Sequence, residues 1–303
     1  MRKLLILLLA LTSTVQAYDL FADRCWEVGG EALFWRPCGG PYDYGNETVS
    51  GFVRRDLSLK PDYDVGFRIW GATFTHDCCH LFDVDWIHLR TFDKQREVGD
   101  FIIFPSAGLL TDAVVNANLK FGYDKVTVRA GRYIARYCNS MAWAYGGAGY
   151  LNLKRNQQAT AVAANGAVLR NTERASYEGG LLEVGVGVDV EEPYCFHLIG
   201  HLAGIVGIGE RKLRQTLLSA GNITEFLHPG ETSCITGLQM KLGVQWRYQY
   251  RCAWLMLQVS YELDQYFDAF RLAESQPLVN GVPTSGLQNV GFSGPSVSAA
   301  VRF

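Results

Sequence analysis

ITGLQMKLGVQW (residues 235–246) and AWLMLQVSYELDQ (253–265) decide the fold. In the first, Leu238, Met240, Leu242, Val244 and Trp246 share one face, and Gln239, Lys241, Gly243 and Gln245 share the other. In the second, Leu255, Leu257, Val259, Tyr261 and Leu263 oppose Met256, Gln258, Ser260, Glu262 and Asp264. A period of two makes each a strand with one apolar and one polar face. Only RYQYRC (247–252) separates them, so they form an antiparallel hairpin. Half-buried strands of soluble sandwiches also alternate, but they average about five or six residues. These two run far longer, the length a tilted strand needs to cross a bilayer.

Comparable segments lie at 26–36, 63–74, 81–92, 113–134, 141–154, 176–190, 195–209 and 290–303. Their connections alternate between long (37–62, 93–112, 155–175, 210–234, 266–289) and short (75–80, 135–140, 191–194, 247–252). This pattern predicts an all-β, ten-stranded, antiparallel up-and-down transmembrane barrel with long loops outside and short turns in the periplasm. In NLKFGYDKVTVRAGRYI (118–134) the apolar parity slips from Leu119, Phe121 and Tyr123 to Val126, Val128 and Ala130. We read a β-bulge there; a turn at Asp124-Lys125 would instead give twelve strands. Pro295 is an irritant, because proline removes a ladder bond within a strand paired on both sides.

The ends agree. SVSAAVRF (296–303) alternates to a terminal aromatic, and outer-membrane barrels end this way, with a residue that the barrel-assembly machinery reads; Phe303 is the candidate assembly signal. Residues 1–17 read as a signal peptide, with basic Arg2-Lys3, the apolar run 4–11 and a small-residue cleavage site at Ala17. The barrel then occupies 18–303. No later run of eighteen apolar residues exists, so membrane spans must be strands. A net charge of −2 argues against a nucleic-acid partner. Composition (13% aromatic, 32 glycines, 19% charged) suits an all-β chain. Its eight cysteines are bound for an oxidising compartment.

GEALFWRP (30–37), DVGFRIWGATF (64–74), LGVQW (242–246), VSYELDQYF (259–267) and the Phe-terminated last strand resemble the Legionella-type pore-forming outer-membrane proteins, also found in chlamydia-like bacteria. The resemblance implies a porin or porin-like major envelope protein of the bacterial outer membrane.

A search for catalytic chemistry leaves an outer-membrane lipid-modifying enzyme as the weakest reading. GxSxG and HExxH are absent. His197 and His201 share a face of FHLIGHLAG, yet four strand residues separate them by about 13 Å. HDCCH (76–80) would hold zinc only if its thiols stayed reduced. No enzyme, cofactor or metal is expected. By parity the lumen carries Glu27, Glu31, Asp64, Asp83, Asp85, Glu183, Asp189, Glu262 and Asp264 against Arg68, Lys120, Arg129, Lys154, Lys241 and Arg302. Two outcomes fit: a narrow, weakly cation-preferring pore for small polar solutes, or a salt-bridged plug in a structural barrel. Gly185 and Gly187 on the inner face would leave lumen space, and FIIFPSAGLL (101–110) would fold into the mouth or pack on the rim. Aromatics near the turn ends (Trp26, Phe74, Tyr133, Trp143, Tyr194, Phe196, Trp246, Trp254, Phe303) read as an interfacial girdle against outer-membrane lipid. Residues 159–169 read as a hairpin tip turning at Asn165-Gly166. Cys25, Cys78, Cys79, Cys138, Cys195 and Cys252 fall at the periplasmic rim, as local staples or as cross-links to other barrels or envelope proteins. The family resemblance points to the cross-links, since chlamydial major outer-membrane proteins are known for such networks.

Overall fold

Twelve strands form one antiparallel sheet: β1 (Arg24–Cys38), β2 (Asp43–Val49), β3 (Phe52–Ser58), β4 (Asp64–Thr75), β5 (His80–Ile103), β6 (Leu109–Tyr137), β7 (Ser140–Val162), β8 (Val168–Glu192), β9 (Phe196–Ser219), β10 (Asn222–Tyr250), β11 (Ala253–Ala273) and β12 (Ser285–Arg302). The computed structural model describes residues 24–40, 42–49, 52–75, 80–103, 109–137, 139–192, 196–219, 221–273 and 285–303. With β2 and β3 set aside, the remaining ten strands pair in a closed ring, β1-β4-β5-β6-β7-β8-β9-β10-β11-β12 and back to β1. Each corresponds to one predicted segment. The extra pair, β2–β3, is a hairpin inside the long connection 37–62, and it adds to the outer end of β5 through Gly45 opposite Ile103.

Closure is completed by β1 against β12. Trp26 and Phe303 exchange both backbone hydrogen bonds, each 2.8 Å long. Pro295 is accommodated by a gap in this ladder. Pairing runs to Leu33 opposite Ser296 and resumes in the same register at Arg36 opposite Ser293.

The bulge expected at Asp124-Lys125 does not exist. The β5–β6 register runs unbroken from His80 opposite Arg132 to Gly99 opposite Ala113. Side chains alternate without interruption from Leu119 to Val128 on β6: Leu119, Phe121, Tyr123, Lys125 and Thr127 are buried inside, while Lys120 and Val128 are exposed outside. What changes is the sign of the pattern. On β8, outward positions run Arg170, Arg174 and Glu178 at the outer end, then Leu182, Val184, Val186 and Val188. Inward positions do the reverse, from Ala175 and Tyr177 to Glu183 and Asp189. A strand that leaves hydrocarbon for water must turn its apolar residues inward to keep them dry. The apparent slip is therefore the membrane boundary.

Val184 lies in the middle of the outward apolar band and is 71% exposed. Val184→Arg is expected to cost about 2–4 kcal/mol and to impair membrane assembly. Ser176→Arg, on the same face beyond the band, should assemble normally. Heat-modifiability on gels of outer-membrane fractions reads both.

The inner glycines leave no empty space. A Cβ on Gly187 would sit 2.1 Å from Trp143 Cζ2, and one on Gly185 2.3 Å from Tyr145 Oη. The two aromatics cross from β7 to cover their paired glycines, Trp143 opposite Gly187 and Tyr145 opposite Gly185. Gly187→Ala should destabilise by about 1–3 kcal/mol through overpacking. Trp143→Ala in the same chain should relieve part of that loss. Urea unfolding of the two single variants and the double gives the coupling.

At the outer tip the chain turns at Asn165-Gly166, as expected. Gly166 adopts a φ of +80°, and the Asn165 side chain accepts a 2.9 Å bond from the Ala167 N–H.

Candidate functional site

The barrel interior has three zones. At the short-turn end lies a cavity of about 270 Å³, whose lining includes Trp70, Phe74, Trp143, Asp189 and Arg247. Its wall is held by Arg302 to Glu27 at 2.7 Å, Trp70 Nε1 donating to Glu27 at 3.0 Å, and Asp189 bound by both Arg247 and His197, the latter at 2.8 Å.

Above the cavity a belt of ion pairs crosses the lumen. Arg68 on β4 grips Glu262 of β11 with both terminal nitrogens, at 2.7 and 3.0 Å, and also bonds Glu31 of β1. Lys241 of β10 reaches Glu31 and Glu262, both at 2.8 Å. On the far side Arg129 joins Asp83 at 2.7 Å, Asp85 at 2.9 Å and Glu183 at 3.4 Å. Lys125 completes the ring against Glu183 at 2.8 Å. Ser296 donates to Glu262 at 3.1 Å and Tyr123 donates to Asp264 at 2.6 Å. Charges buried this deeply persist only with several partners each, because one unpaired charge costs several kcal/mol.

Beyond the belt the interior is filled mainly by apolar side chains, with Arg155, Gln157 and Glu173 buried among them. Trp35, Phe121, Tyr123, Phe270 and Phe292 occupy its centre. Tyr123 stacks on Phe292 with ring centroids 4.8 Å apart, and Phe121 meets Phe292 edge-on at 6.1 Å. At the mouth the β2–β3 hairpin and its flanks bury Tyr42, Tyr44, Leu57 and Leu59, together with Phe101 and Ile103. Two apolar residues of FIIFPSAGLL thus turn into the mouth; 104–108 lie outside the described residues.

Twelve of the fifteen predicted lumen residues are in the cavity wall or the belt: Glu27, Glu31, Arg68, Asp83, Asp85, Arg129, Glu183, Asp189, Lys241, Glu262, Asp264 and Arg302. Asp64 has the inward parity but sits at the outer end of β4, where it accepts the Phe92 N–H at 2.9 Å. Lys120 and Lys154 are corrections. Both lie beyond the membrane boundary and point outward, because Leu119, Phe121, Leu151 and Leu153 take the inner face there. Lys125 and Tyr145 were missed, while Gln239 and His201 have the inward parity already read from the sequence. The assumed bulge put Lys125 on the wrong face, and true parity would have recovered it.

The girdle holds for Trp26, Phe196, Trp246 and Phe303, which are exposed outward; Trp254 is exposed at the rim but pairs with Arg302 on the inner face. Phe74, Tyr133 and Trp143 instead line the cavity; Tyr194 lies outside the described residues. His197 and His201 take separate partners, Asp189 and Tyr145. Cys25 and Cys252 are free thiols, as are Cys38 and Cys234. Cys78, Cys79, Cys138 and Cys195, and His76 of HDCCH, lie outside the described residues.

Among solved structures, the chain is similar to the outer membrane protease OmpT of Escherichia coli (8% identity, 96% of this chain and 99% of that one, TM-score 0.44). It is also similar to a FadL homologue of Pseudomonas aeruginosa (8% identity, 93% and 90%, TM-score 0.28) and to the toluene transporter TodX of P. putida (9% identity, 93% and 89%, TM-score 0.25). No curated protein matches it. Residues 22–303 match the family model described as Legionella pneumophila major outer membrane protein precursor. The chain therefore belongs to that family and is a β-barrel protein of the bacterial outer membrane.

Proposed function

We propose that this is a porin-like envelope barrel that is closed in its ground state. It serves the outer membrane first as a wall element and passes small ions only when the belt and the fill part together. The observation that carries this reading is the continuous seal from Arg68–Glu262 through Tyr123 to Phe292, with no side chain in that path more than a tenth exposed. Its role is non-enzymatic: the interior histidines are engaged by Asp189 and Tyr145 rather than set beside a nucleophile. Liposome swelling tests it. Vesicles loaded with refolded protein should take up a small sugar hardly faster than protein-free vesicles, and uptake at the rate of an open porin would contradict the reading.

A second reading, an open and weakly cation-preferring pore, is favoured by the excess of carboxylates over bases among the cavity and belt residues. Reversal potentials in a salt gradient separate the two, since only an open pore gives one.

The proposed partners are the barrel-assembly machinery, through Phe303, and other envelope proteins or copies of this chain, through periplasmic thiols. Cys252 is exposed at the β10–β11 turn and unbonded within the chain. After free thiols are blocked, native envelopes should show high-mass species that collapse to monomer on reduction. A monomer band in both lanes would remove the cross-linking role.

A further inference from the structure

The outer surface above the membrane boundary is not uniformly polar. Strands β5 to β9 pair in unbroken register here, so outward residues line up in rows that run around the barrel. The last apolar row is Trp86, Val126, Tyr150, Gly180 and Ile208. The next carries acids, with Asp124, Glu178 and Glu210 beside His88 and Asn152. The two rows above it carry cations and no acid. One holds Arg90, Lys154 and Lys212; the other holds Lys120, Arg174 and Arg214.

Two further observations set this face apart from an ordinary solvated surface. Lys154, Arg170 and Arg174 are exposed and form no ion pair among the described residues. Arg170, Arg174 and Arg214 also converge, with Thr172 and Thr216, on a surface groove of about 310 Å³. On the other side of the barrel, the outward positions of β11 and β12 at this level carry one cation, Arg271 opposite Leu287, and it is neutralised by Glu231 at 3.0 Å.

Height selects the ligand. Counted along each strand, two residues at about 3.4 Å each under a tilt of about 45° rise about 5 Å. Asp124, Glu178 and Glu210 then stand about 5 Å beyond the last apolar residue of their own strands, within the depth of an ordinary phospholipid headgroup, about 5–8 Å. Phosphate at that depth would meet these acids. Lys154 on β7 stands about 10 Å beyond Tyr150, and Arg174 on β8 about 15 Å beyond Gly180, where only a taller headgroup places its charge.

We propose that this basic face binds the phosphates of a phosphorylated glycolipid in the outer leaflet, with Lys154 and Arg174 as its principal contacts. Long cationic side chains reach down to such phosphates while their stems cover the strand surface. The acyl chains of the same lipid lie against the apolar band directly below. This site is independent of the lumen and of whether the lumen conducts, so its failure would leave the closed-barrel reading untouched.

The test titrates refolded full-length protein with bisphosphorylated lipid A, with the same lipid after enzymatic dephosphorylation, and with phosphatidylglycerol vesicles. Binding is read from tryptophan fluorescence and by native mass spectrometry. The intact glycolipid should bind most tightly, with an affinity that falls as salt rises. Lys154→Gln and Arg174→Gln combined should weaken it about thirtyfold, from the usual worth of a basic side chain at an anionic surface. Removing the same charge elsewhere, by Arg36→Gln and Arg251→Gln, should leave it unchanged. Equal affinity for phosphorylated and dephosphorylated lipid overturns the proposal, as does equal affinity for phosphatidylglycerol or an unaffected double variant. If the double variant fails to fold, the two forms of the glycolipid on the unaltered protein still decide.

Discussion

Phe292→Ala should unfold the outer half of the barrel at a denaturant concentration well below that of the unaltered protein, with a loss of about 3–5 kcal/mol. Phe292 is fully buried, stacked on Tyr123 and edge-on to Phe121. It sits on β12, a closing strand, where its pairing partners are Pro37 on β1 and Asp264 on β11. In a water-filled lumen the same truncation would remove an aromatic ring from solvent and cost almost nothing. The size of the effect thus reports whether the interior is a packed core. Urea unfolding followed by tryptophan fluorescence measures it, and a loss below about 1 kcal/mol would mean that the ring is not packed as described.

The second large effect is at the belt. Arg68→Met leaves Glu31 and Glu262 sharing Lys241 alone, and stranding a buried charge costs about 3–5 kcal/mol. Removing one of the stranded carboxylates should restore part of that loss, so Arg68→Met with Glu262→Gln is expected to be more stable than Arg68→Met by itself. A double variant as unstable as the sum of its parts would show that the two side chains do not interact.

The sequence made the ten ring strands legible because at membrane level each alternates apolar-out and polar-in, and 181–190 or 253–263 can be read no other way. The outer ends were hidden by the reversal of that same alternation. Residues 168–178 and 210–219 look like polar loops, since their apolar members face a core that one strand alone does not reveal. The same reversal misplaced Lys120 and Lys154 and suggested a bulge at Lys125. The β2–β3 hairpin escaped notice because 43–58 is short, charged and contains no long alternating run. Ion-pair partners were beyond reach for another reason. Arg68 and Glu262 are 194 residues apart, and inward parity says which residues share a lumen but not which of them touch. Glycines were the clearest misreading: Gly185 and Gly187 indicate that something large comes close, and the sequence alone suggested empty space instead.

On the proposed reading the lumen is closed. Single-channel recording of refolded protein in a planar bilayer tests this, with folding confirmed by heat-modifiability. A closed barrel predicts a silent baseline broken by rare, brief openings, which become more frequent in Phe292→Ala and Arg68→Met. A steady, ohmic open-channel current from the unaltered protein would mean that the lumen is open.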